Sequence, residues 1–101
     1  MAAMMDEQRL TLLKSNLDRP GYPDTNYLLH LLHQAEAMCN TEGVDTSDKE
    51  DIRVNNLIID YAAYLFRKRG GEETGMPRFL TMERNNLLFA QKMAGGGSGD
   101  I

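Results

Sequence analysis

Apolar positions along this chain recur three and four residues apart in four stretches, and sustained period-two alternation is absent. The spacing predicts an all-α domain of four helices, with β-branched residues clustering only in Val54 to Ile59, inside a helical pattern. The first helix is expected from about Asp6 to Leu17. Leu10, Leu13 and Leu17 make a narrow apolar stripe, and Arg19-Pro20-Gly21-Tyr22-Pro23 stops it. The second opens after Pro23 with Asp24 or Thr25 as N-cap and ends near Gly43. Tyr27, Leu28, Leu31, Leu32, Ala35, Met38 and Cys39 share one of its arcs; Asn26, His30, His33, Glu36 and Asn40 fall on the other.

The third helix is expected to open at Thr46-Ser47-Asp48-Lys49-Glu50, with Ser47 and Glu50 as a capping box, and to stop at Gly70-Gly71. Its polar stripe is thin: Lys49, Arg53, Asn56, Asp60 and Arg67. Ile52, Ile59, Ala62, Ala63 and Phe66 form one apolar face, read as the intramolecular core. Val54, Ile58, Tyr61 and Leu65 form a second face. A helix apolar around most of its circumference must be covered on most sides. Three other helices are expected to leave that second face for another subunit, with His30 and His33 as further interface candidates. On this reading Ile59→Asp unfolds the domain, and Ile58→Asp leaves a folded monomer.

The fourth helix starts at Pro77 and runs to about Met93. Phe79, Met82, Asn86, Phe89, Ala90 and Met93 keep helical spacing along it, with Leu80 and Leu87 flanking. Beyond it, residues 94–101 read as a flexible tail carrying four of the nine glycines, which divides the chain into a 1–93 domain and that tail.

Composition narrows the function classes. The 101 residues carry 11 Lys and Arg against 15 Asp and Glu, a net charge of −4. That balance argues against a free-standing DNA-gripping module. One cysteine excludes an internal disulfide framework. No apolar run approaches the ~20 residues of a membrane span, and Met1 to Glu7 lacks the features of a secretion signal, so synthesis in the cytoplasm is expected.

Candidate chemistry is sparse. His30, His33 and Glu36 share a helix face at metal-ligand spacing, but Cys39 lies on the opposite arc and cannot join them. Cys39 itself sits among apolar residues as a small hydrophobe. Arg67-Lys68-Arg69 ends a helix, where the dipole favours cations. The Gly70–Gly75 segment lacks the Gly-Lys-Ser/Thr ending of a phosphate loop, and its Glu72 and Glu73 would repel an anion. No constellation points to catalysis, a cofactor or a metal.

The order Tyr61-Ala62-Ala63-Tyr64-Leu65, Arg67-Lys68-Arg69, Met76-Pro77-Arg78 and Asn85-Asn86-Leu87-Leu88-Phe89 resembles the C-terminal half of tailed-phage head–tail connector proteins, the adaptor or head-completion family. A leading short helix and an amphipathic helix ending Glu42-Gly43-Val44 extend the likeness over Met5 to Met93. The resemblance implies a non-enzymatic virion subunit of phages or prophages, forming a ring, commonly twelve-fold, in the neck. The ring would lie beneath the portal protein and above a stopper or tail-completion protein, and DNA would pass its lumen without specific recognition. It also implies that the C-terminal segment (Lys92, Met93, Gly95, Gly96, Gly97, Ser98, Gly99, Asp100 and Ile101) reaches toward the portal. The other reading of the residues is a small DNA-binding or packaging accessory using Arg53, Arg67, Lys68, Arg69, Arg78 and Arg84.

Overall fold

A computed structural model describes residues 6–71 and 75–99, the last five for their backbone alone. It contains four helices, α1 (Asp6–Asn16), α2 (Thr25–Thr41), α3 (Ile52–Arg69) and α4 (Arg78–Gly99), and no strand among the described residues. The fold is all-α. α3 is the central element: α1 and α2 pack on each other and on α3, and α4 packs on α3. The core gathers Leu13 and Leu17 from α1 and its end, Leu28, Leu31, Leu32, Ala35 and Cys39 from α2, most of α3, and Leu80 and Leu87 from α4.

Local chemistry sets the helix ends. The Asp24 carboxylate accepts from the Tyr27 N–H at 2.9 Å and caps α2. The other end of α2 is a Schellman turn. Gly43 donates to the Asn40 carbonyl at 3.0 Å and Val44 to that of Cys39 at 2.9 Å, with Gly43 at φ +100°. The same hydrogen bonds close α1: Asp18 donates to Ser15 at 3.0 Å and Arg19 to Lys14 at 2.8 Å. There the left-handed residue is Asp18, at φ +59°. Opposite outcomes follow for the two positions. Gly43→Ala, whose Cβ would also come 3.4 Å from Leu88, should destabilise by about 1–2 kcal/mol, and Asp18→Gly should leave stability equal or slightly higher. Urea titrations of both variants check this.

α3 begins later than the capping box requires. Asp45 accepts from the Ser47 N–H, Asp48 from the Glu50 N–H and Asp51 from the Arg53 N–H, at 2.9, 3.0 and 2.9 Å. Three aspartates spaced three apart satisfy the backbone locally and hold residues 45–51 out of a helix. Asp51 is the N-cap, and Ser47 and Glu50 lie before the helix. Pro77 precedes the first residue of α4, its carbonyl accepting from Leu80 and Thr81. α4 continues past the expected stop at Met93, its bounds running from Arg78 to Gly99. Met1 to Met5, the Glu72-Glu73-Thr74 part of the glycine linker, and Asp100 and Ile101 lie outside the described residues.

Candidate interaction surface

The expected subunit face of α3 is closed within one protomer. Val54, Ile58 and Tyr61 are 1%, 0% and 1% exposed, and Leu65 is half-buried against the core. The reason is coverage from α2, α4 and the segment joining α2 to α3. Val44 is buried, and Tyr61 donates its hydroxyl to Glu42 at 3.0 Å. The same Glu42 carboxylate takes Arg84 of α4 at 3.0 Å. The reverse correction applies to Ile52, assigned to the core face but 62% exposed at the start of α3. Ile59, Ala62 and Ala63 are buried and Phe66 half-buried, as that face requires.

α4 presents the apolar surface that α3 does not. Leu80 and Leu87 face inward, and the longer stripe turns outward, with Phe79, Met82, Phe89 and Met93 exposed by 59, 54, 66 and 66%. Asn86 lies exposed between them, and Arg78, Asn85 and Lys92 edge the stripe. Four large apolar side chains along one helix face make a patch of the kind that marks a contact surface. Lys92 and Met93, expected at the portal, are both exposed on this outer side. Gly95 to Gly99 continue the α4 backbone.

A buried polar cluster ties the other three helices together. Arg9, 2% exposed, donates from Nε and Nη2 to Asn55 Oδ1 at 2.9 and 2.6 Å and from Nη1 to Glu36 Oε1 at 3.0 Å. Asn55 Nδ2 donates in turn to the Lys49 and Asp51 carbonyls, and the Lys49 ammonium binds Glu36. Burial pushes the Glu36 carboxyl up, but hydrogen bonds from Lys49, Arg9 and Thr46 together hold it below the ordinary range. Among the described residues no buried side-chain nitrogen or oxygen lacks a partner.

Glu36 is thereby turned away from the histidines. His30 and His33 stay exposed on α2, His33 Nε2 lying 3.0 Å from Asp6, and no group of three metal-ligating side chains gathers among the described residues. Cys39 is buried, its thiol pushed up to about 12 chiefly by burial, which makes it a poor nucleophile. The basic residues are largely engaged inside the molecule. Arg67 donates to the Asn16 carbonyl, Lys68 lies 5.8 Å over Tyr64, and Arg69 lies 5.6 Å over Tyr27. Arg53 pairs with Asp51, and Arg84 with Glu42.

One carboxyl pair sits where α3 meets α4. Asp60 accepts from Asn16 Nδ2 at 2.9 Å, and burial first, then the hydrogen bond and charge of Asp60, lift the Glu83 carboxyl to about 7. A carboxyl whose folded pKa lies above its unfolded value favours folding fully below that unfolded value, and the benefit is lost as pH rises through about 7. Glu83→Gln keeps a donor for Asp60 without the charge. It should raise the melting temperature near pH 8 and leave it unchanged near pH 4, as read by thermal melts across that range.

No family model matches the chain, and no curated protein or solved structure matches it either. No helix among the described residues is long and apolar enough to cross a membrane.

Proposed function

We propose that the protein is a structural adaptor of the tailed-phage neck, a non-enzymatic subunit that assembles with its own copies beneath the portal and joins the capsid vertex to the tail. The observation that carries this reading is the exposed stripe of Phe79, Met82, Phe89 and Met93. It lies in the same Tyr61–Met93 region whose residue order resembles the connector family. The driving surface for association therefore belongs to α4 and not to the buried flank of α3. Net negative charge and basic residues committed to partners within the molecule suit a wall that DNA slides past better than one that grips it. Electron microscopy of the purified protein, with size exclusion and light scattering alone and with portal protein, tests the reading. Annular particles that co-elute with portal are expected; a monomer that ignores portal overturns it.

A further inference from the structure

The outward stripe of α4 has a regular spacing. Phe79, Met82, Asn86, Phe89 and Met93 are separated by three, four, three and four residues, the alternation of a and d positions in a heptad. With Phe79 at a, the g positions are Arg78, Asn85 and Lys92, and every g, a and d residue from 78 to 93 is exposed. Leu80 and Leu87 occupy b positions on the opposite side of the helix and are buried. The seam is thus continuous, two to three side chains wide, and faces away from the protomer's own body.

We infer that this seam seats α4 of a second copy, the two helices running parallel and in register with Asn86 against Asn86. Three observations choose that occupant. A polar Asn at a single a position inside an otherwise apolar seam is the device that fixes register and favours two strands over larger bundles. In a parallel, in-register pair Arg78 of one strand and Lys92 of the other stay at opposite ends of the seam. An antiparallel pair would instead draw Arg78 of one strand toward Lys92 of the other, setting like charges together. Size also suffices. Four exposed large side chains per copy present roughly 100 Å² or more each, so two copies can bury on the order of 1,000 Å², the lower bound for a specific contact.

The pairing rests, like the neck reading, on copies associating through the exposed stripe of α4, but it needs neither an annulus nor portal. A parallel pair closes at two, so any annulus would be built from such pairs through a separate surface.

Sedimentation velocity over a concentration series, with oxidative cross-linking of the Asn86→Cys variant, tests the inference. Buried Cys39 does not compete for the cross-link. The expected result is a reversible dimer, a disulfide between the two introduced cysteines, and about 100-fold weaker association in Phe89→Asp with its helical signal intact. Asn86→Leu should shift the other way, to tighter association with species beyond the dimer. A dimer with the disulfide but without annuli or portal binding upholds the pairing and overturns the neck adaptor. Annular particles that bind portal but form no disulfide overturn the pairing and leave the adaptor standing. A protein monomeric throughout the series overturns both.

Discussion

Ile58→Asp is expected to unfold the protomer as fully as Ile59→Asp, and circular dichroism should find neither variant melting cooperatively. The two side chains are 0% and 4% exposed, on either side of a helix that its neighbours enclose. An unpaired carboxylate at such a site costs several kcal/mol or forces the group to take up a proton. A small domain holds only about 5–15 kcal/mol in total, so either route removes most of the stability. Phe89→Asp is the control. The same charge placed at a side chain 66% exposed should leave the protomer folded, with its helical signal and a cooperative melt retained. An Ile58→Asp variant that remained folded would mean that the second flank of α3 opens to solvent, contrary to the packing of Val54 and Tyr61 around it.

Arg9→Ala is expected to destabilise by about 3 kcal/mol, because removing one partner leaves Glu36 and Asn55 buried and partly unpaired. For a domain of this length that corresponds to a fall in melting temperature of roughly 12–24 °C. The variant should also respond less to acid. Glu36 has a folded pKa below its ordinary 4.5, so its stabilising effect is complete above that value and is lost as pH falls through the folded one. The native protein should therefore lose stability in acid more steeply than Arg9→Ala, since protonation of Glu36 deprives Arg9 of its counter-charge. Parallel acid titrations of the two proteins read the difference. Identical slopes would mean that Arg9 does not depend on the Glu36 charge.

The helices were legible because each carried two agreeing signals, a period and a stop. Asp24 and Gly43 bracket α2 as their types require, and Gly70 ends α3. The inside and outside of α4 were harder to read. Two overlapping apolar sets occupy that helix, and the more numerous one, from Phe79 to Met93, proved to be the outer one. Periodicity counts apolar residues without saying which neighbour will meet them. The same blindness applied to α3, where a wide apolar circumference looked like surplus until Val44, Glu42 and Arg84 were seen to close it. Arg9 and Asn55 gave no signal at all. A buried arginine is set by partners 27 and 46 residues away in sequence, and only the folded arrangement of three helices brings those together. The capping box failed for a local reason: the aspartates at 45, 48 and 51 offered the backbone a nearer set of acceptors.

Among the helices α4 packs chiefly on α3, while α1, α2 and α3 brace one another. Beyond Leu80 and Leu87 it is fastened by Arg84 to Glu42, and by Gln91, whose amide exchanges two hydrogen bonds with the backbone of Asp45 at 2.9 and 2.8 Å. Such an element detaches at lower cost than the three that brace one another. Its amide protons should exchange with deuterium first, ahead of those of a triad that stays closed. An assembling partner that grips this helix would then act as a splint, slowing exchange most in the part of the chain that holds itself least.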